Sequence, residues 1–200
     1  MALRFERFLG RRMFMTTTAT PLIAADEFLR LYGDKSGVEL VNGQIVRWPM
    51  PGGIHDKVCF KVSFLLGGFV ETNKLGHVFG NDTFIRTRTN PDGCRGADLS
   101  FASFATLPAD AVIPQGALTP PLELVVEVRS PSDSVRGLTE KAFEYLDAGV
   151  RVVLILDPNL QSAAVFRAEE FPQRFHNGDE LTLPDVLPGF AAVVKKFFES

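Results

Sequence analysis

Three polar side chains stand where the surrounding residues call for apolar ones. Glu127 interrupts the apolar run of "LELVVEV", Asp98 opens an apolar strand after Gly96-Ala97, and Lys141 lies on the helix that follows Glu127. A carboxylate inside a buried strand is costly unless something pairs with it. On the helix, Leu138, Lys141, Tyr145 and Ala148 fall three or four residues apart and share one face, so Lys141 is carried inward with its apolar neighbours. If the two strands are adjacent, Asp98 and Glu127 converge and repel each other unless a cation lies between them. A hard divalent ion suits such oxygen ligands: Mg²⁺, for which Mn²⁺ can substitute, with the backbone carbonyl of Val128 as a further ligand. The ion would activate a water while Lys141 orients that water or stabilises charge on a phosphate. That chemistry is phosphodiester hydrolysis.

Each residue also has an ordinary structural reading. Asp98 could cap a turn, and Lys141 could be a solvated helix lysine. Glu127 is harder to explain away, because glutamate is rarely interior without a partner. Arg129 follows it by two residues, so alternation places both on one strand face, with Arg129 toward a phosphate or a carboxylate. A guanidinium stays protonated, so Arg129 is no base. Arg95, with Lys74, Arg86 and Arg88, could form a phosphate-binding stripe or simply be solvated. Trp48 beside "PMPGG" could line a cleft and stack on a base. His55 has no histidine partner at ligand spacing in His77 or His176, which argues against zinc.

The elements that must position these groups fit one domain. The 200 residues are 46% hydrophobic and 22% charged, and a net charge of -3 excludes a protein coated in positive charge for indiscriminate nucleic-acid binding. The only cysteines, Cys59 and Cys94, form no CxxC pair, which fits a reducing cytoplasm. No apolar run approaches a membrane span. Residues 1–15 read as an N-terminal extension and 16–200 as the domain. Thr20 and Pro21 should open a short helix that packs by Leu22, Phe28, Leu29 and Leu31. "VELVNGQIV" is a hairpin with an Asn42-Gly43 turn and Glu39 on its first strand. A long helix runs from Ile54 to about Val70, with His55 at its start. Three strands follow, split at Gly80-Asn81 and at "NPDG". Next come a proline-rich loop, the strand of Glu127, a helix over about Ser134 to Ala148 and the apolar strand "VRVVLILDP", a crossover unit between parallel strands. A final hairpin closes the chain.

The order of "VELVNGQIV", "GIHDKV", "GADLSF", "LELVVEVRSPSDS", "LTEKAFEYLDAGVRVVLILDP" and "DVLPGF" resembles the Uma-two family of proposed nucleases, in the restriction-endonuclease-like PD-(D/E)XK superfamily. The likeness runs from about Leu22 to Phe190. It implies an α/β fold with a central curved mixed β-sheet flanked by helices, with N-terminal and C-terminal hairpins, and a Mg²⁺-dependent endonuclease acting on DNA. Asp98 looks like the first acid of the motif and Glu127 like the second. The usual lysine position holds Arg129, so the resemblance points to Lys141 on the next helix. Glu39 matches an acid that assists the metal, and His55 a recurring helix-start histidine. Ala97 stands where the motif has proline. Substrate-facing residues would be His55, Arg129 and Arg95, and a homodimer would suit an enzyme that cuts two strands. Two rivals stand beside this reading. One is a catalytically weak or inactive nuclease fold that binds nucleic acid or a protein; the other is a metal-free hydrolase using paired carboxylates.

Overall fold

The computed structural model describes residues 21–199; the N-terminal extension and Thr20 lie outside them. Helix α1 spans Ala25–Tyr32 and starts four residues after Pro21, later than the sequence suggests. Its N-cap, Ala24, has no side-chain acceptor to offer. Asp92, distant in sequence, supplies one instead: the Ala25 N–H donates to its Oδ2 at 2.7 Å. Ala25 and Phe28 are buried, whereas Leu22 and Leu31 are exposed rather than packed.

Strands β1 (Val38–Val41) and β2 (Gln44–Arg47) form the expected hairpin. Asn42 and Gly43 take φ of 50° and 72°, the positive pair of a type I′ turn. The long helix is a continuous run of α2 (Gly53–Val62), a π turn (Ser63–Gly67) and α3 (Gly68–Asn73). Val58, Val62, Leu66 and Val70, spaced by four, are all buried. In a regular α-helix a four-residue step overshoots one turn by about 40°. The wider π turn takes up that drift and keeps the stripe on the sheet.

Two strands, not three, follow: β3 (Gly76–Arg88) and β4 (Gly93–Ser103). The expected break at Gly80-Asn81 is a register shift between Gly80 and Thr83, with Asp82 at φ 59°. A bulge absorbs extra residues without ending the pairing, so Asp98 lies inside β4 rather than at its start. Strand β5 (Leu122–Val128) runs parallel to β6 (Val150–Asp157), joined by α4 (Val135–Asp147). Ser134 caps α4 by accepting from the Gly137 N–H at 3.0 Å. The single closing hairpin resolves into two. Strands β7 (Ser162–Phe166) and β8 (Gln173–Phe175) extend the main sheet, while β9 (Glu180–Leu183) and β10 (Leu187–Val193) pair in a separate one.

The main sheet runs β2-β1-β4-β5-β6-β7-β8, with β3 also on β4. Cys94 of β4 pairs with both Arg86 of β3 and Leu40 of β1, and Leu99 with both Gly80 of β3 and Val126 of β5. So β3 follows one edge of β4 while β1 and β5 divide the other. Between Cys94 and Leu99 that second edge forks and carries no paired residue. Apolar side chains cover both faces of the sheet. Leu124, Val126 and Val128 of β5 pack with the α2–α3 stripe, and Val125 packs with Leu138, Ala142 and Tyr145 of α4. Glu127 alternates with Val126 and Val128 and therefore faces α4. No helix among the described residues is long and apolar enough to cross a membrane.

Candidate functional site

Side chains fill the fork where strand pairing is missing. The Gly96 N–H donates to Glu39 Oε1 at 3.1 Å, and the Val128 N–H donates to Asp98 Oδ2 at 2.7 Å. The Gly96 carbonyl accepts from Lys141 Nζ at 2.9 Å. Buried backbone groups must be paired, and here the polar side chains of the site do the pairing.

Lys141 is the hub. Its ammonium lies 2.9 Å from Glu127 Oε2 and 3.0 Å from Glu39 Oε1, so with Gly96 all three donors are engaged. The inward direction read from helical spacing is what the structure shows. Tyr145, fully buried, places its hydroxyl 2.9 Å from Glu127 Oε1 and 3.2 Å from the Gly96 carbonyl oxygen. Glu39 also accepts from Arg95 Nη1 at 2.9 Å and from Trp48 Nε1 at 2.8 Å, both on Oε2. Arg95 is buried and grips Glu144 through two bonds, at 2.7 and 2.8 Å. It belongs to the inner lining of the site and not to an exposed phosphate stripe. Arg86 and Arg88 are paired elsewhere, with Asp26 and Asn42.

One ammonium shared by two carboxylates sets the electrostatics. Burial would raise the Glu39 carboxyl, but Lys141 and Arg95 together outweigh it and hold its pKa below the ordinary value. Glu127 has only its share of Lys141. Burial pushes it up to about 8, Lys141 opposes the rise, and Asp98 and Glu39 add to it. Burial works against the charge on Lys141, yet Glu127 and Glu39 raise its pKa further. A cluster with surplus, desolvated carboxylate favours a cation. The carboxylates of Glu127 and Asp98, both lining the cavity, are donors of the kind a cation uses.

On the α2 side, His55 Nε2 lies 3.4 Å from Asp98 Oδ2 and Nδ1 lies 3.5 Å from Asp56 Oδ1. Burial lowers the His55 pKa, but Asp98 and Asp56 together raise it to about 9. Cys59, one helical turn on, brings its sulfur 3.5 Å from Nδ1. Ligand atoms of His55, Cys59 and Asp98 lie within 4.8 Å of one another, a possible metal-binding triad. The His-x-x-x-Cys spacing on a helix is the sequence signal for Cys59, a pattern distinct from CxxC. Tyr145 and Glu144 were missed because helical spacing reads as packing or solvation.

Arg129 lies just past β5 and is occupied. Its Nη1 donates to Asp157 Oδ2 at 2.7 Å, while Nε and Nη2 donate to the Asp133 carbonyl at 3.3 Å. It faces the Asp157 carboxylate rather than the cavity, whose lining it does not join, and ties the ends of β5 and β6 together. A cavity of about 450 Å³ opens over the fork, with Glu39, Asp98, Glu127 and Lys141 inside and Trp48 and Ser132 in its wall.

No curated protein matches the chain. Among solved structures, a protein of Anabaena variabilis described as a "putative nuclease belonging to DUF820" superimposes with a TM-score of 0.76 at 22% identity, covering 88% of this chain and 97% of that one. At that identity the likeness is one of fold, and it agrees with the mixed α/β, restriction-endonuclease-like architecture. The order of motifs along the sequence agrees with the family match: residues 25–195 fit the Uma2 model, described as "Putative restriction endonuclease", and the chain belongs to that family.

Proposed function

We propose that this protein is a metal-dependent endonuclease that hydrolyses phosphodiester bonds in DNA. The observation that carries the reading is the Lys141 ammonium held at 2.9 and 3.0 Å between Glu127 and Glu39, on the fork that also holds Asp98. Asp98, Glu127 and the Val128 carbonyl would hold Mg²⁺, or Mn²⁺ in its place, with Glu39 in support. Bound there, such an ion supplies Lewis acidity and an activated water.

The chain's own residues set the rest. Lys141, held by both carboxylates, which raise its pKa, would act by fixing them and by stabilising charge on the phosphate. Arg95 serves Glu39 by holding its second oxygen, since contacting phosphate would mean leaving both Glu39 and Glu144. His55, 3.4 Å from Asp98 Oδ2, would add positive charge on the Asp98 side of the phosphate site. Arg129 stabilises the strand end that presents Glu127.

Cleavage of supercoiled plasmid and of single-stranded DNA with Mg²⁺ or Mn²⁺ tests this reading. Wild type should cut at least one of them, and Asp98→Asn and Glu127→Gln should each lose about 100-fold or more, the scale of removing one charge-stabilising group. Activity surviving both changes would remove the assignment. One observation favours the rival of a nuclease fold that binds without cutting: every donor of Lys141 is already engaged within the chain. Retained binding with no cleavage of any nucleic acid would decide for it.

A further inference from the structure

Trp48 is the only tryptophan of the chain, and it is in the wrong place for a core residue. It belongs to none of the three apolar clusters and is 43% exposed. It is nevertheless fixed at both ends. The indole Nε1 donates to Glu39 Oε2 at 2.8 Å, and the backbone N–H donates to the Gly37 carbonyl at 2.8 Å. The polar tip of the ring is thus pinned to the acidic cluster while much of the apolar surface stays open in the cavity wall. Met50 and Ile54, which follow it, are also exposed.

The charges around the cavity say what that surface can take. Its lining carries three lysine or arginine side chains, Lys35, Arg95 and Lys141. Lys35 is bound to Asp34, Arg95 to Glu39 and Glu144, and Lys141 to Glu39 and Glu127. A continuous duplex is gripped mainly by lysine and arginine on phosphates, and here those groups are already matched. A ring face needs no free cation to bind a nucleobase, since every base has a π-face to stack. In a duplex those faces are covered by neighbouring bases. Unpaired nucleotides expose them.

We propose that Trp48 is a base-stacking subsite, and that the strand this site accepts carries an unpaired nucleobase beside the phosphate to be cut. The substrate class is then single-stranded, flapped or otherwise unpaired nucleic acid rather than uninterrupted duplex. This rests on the nuclease reading for the phosphate, while the stacking itself can be measured without turnover. A single bond, Nε1 to Glu39, joins the subsite to the acidic cluster.

Because Trp48 is the sole indole, its fluorescence reports the subsite directly. The full chain, with a chelator present to prevent cutting, is titrated with a single-stranded DNA oligonucleotide, its blunt duplex, an abasic single strand of equal length and the matching RNA. Saturable quenching by single-stranded DNA is expected, with affinity for duplex and abasic strand weaker by about tenfold or more. Binding of a labelled oligonucleotide, followed by anisotropy, should weaken by about tenfold in Trp48→Ala and be largely kept in Trp48→Phe, which retains a ring but lacks the Nε1 donor. Circular dichroism checks that both variants fold.

Equal quenching by duplex and single strand would overturn the proposal. So would equal quenching by the abasic strand, or unchanged binding in Trp48→Ala. Quenching by RNA as well as DNA supports stacking as the shared chemistry. Failure of the nuclease reading looks different: bases quench Trp48, yet no nucleic acid is cut when metal is added. Nicking without any Trp48 response removes the subsite and leaves the nuclease.

Discussion

At the residue scale, the site depends on groups that touch its acids rather than on the acids alone. Tyr145 donates toward Glu127 from a fully buried position. Tyr145→Phe should leave Glu127 Oε1 without that donor and lower stability by about 1–3 kcal/mol, read from the midpoint of urea unfolding. Arg95→Met should weaken the fold more, by about 3–5 kcal/mol, because Glu144 loses both its guanidinium bonds and Glu39 is left with Lys141 as its cation. Adding Glu144→Gln to that variant should recover part of the loss, since one unpaired charge is gone. The direction of Lys141 was legible in the sequence because Leu138 and Tyr145 share its helical face. The hydroxyl of Tyr145 was not, since an aromatic at helical spacing reads as packing, and here it packs and donates together. Arg95 was legible as a residue of the site but not in its role, because its partners Glu39 and Glu144 are remote in sequence.

At the element scale, local signals were readable and remote ones were not. The start of α4 at Ser134 was readable, and its cap is local: the Gly137 N–H that donates to Ser134 is three residues on. The cap of α1 comes from Asp92, across the fold, so no local pattern pointed to it. Asp92→Ala should destabilise by about 1 kcal/mol, seen as a lowered Tm, with hydrogen exchange speeding first in residues 25–28. The same distinction explains the strands. Gly80-Asn81 looks like a break because glycine and asparagine favour turns, yet β4 is long enough to keep pairing with β3 across the bulge. The end of the chain looked like one hairpin because sequence spacing does not say to which sheet each pair belongs.

At the scale of the whole molecule, the buried titratable groups give stability a direction with pH. His55 titrates at about 9 against an ordinary 6.5, and Glu127 at about 8 against 4.5. Both folded values lie above the unfolded ones, so each favours folding at low pH and loses that contribution as pH rises through its folded value. Glu39 is shifted the other way and favours folding above its ordinary value. The chelated protein should therefore be most stable in mildly acidic solution, with Tm falling from pH 7 to pH 9. In Asp98→Asn the part of that fall due to His55 should flatten, since Asp98 is the larger of its two carboxylate influences. The sheet fork behind this arrangement had no sequence signature, because two strands sharing one edge of a third is a property of three separated segments.

That fork has a practical side. Glu39, Asp98 and Lys141 stand in for the ladder bonds that β4 lacks between Cys94 and Leu99. Taking out such a side chain to silence the chemistry also unpairs backbone in the middle of the sheet. An alanine variant that neither cuts nor binds would be ambiguous, since a seam of the architecture would have opened with it. Variants that keep the shape and change the charge, such as Asp98→Asn and Glu127→Gln, separate scaffold from reagent. By the same token, a descendant of this chain that had stopped cutting would still gain from keeping these acids, as stitching.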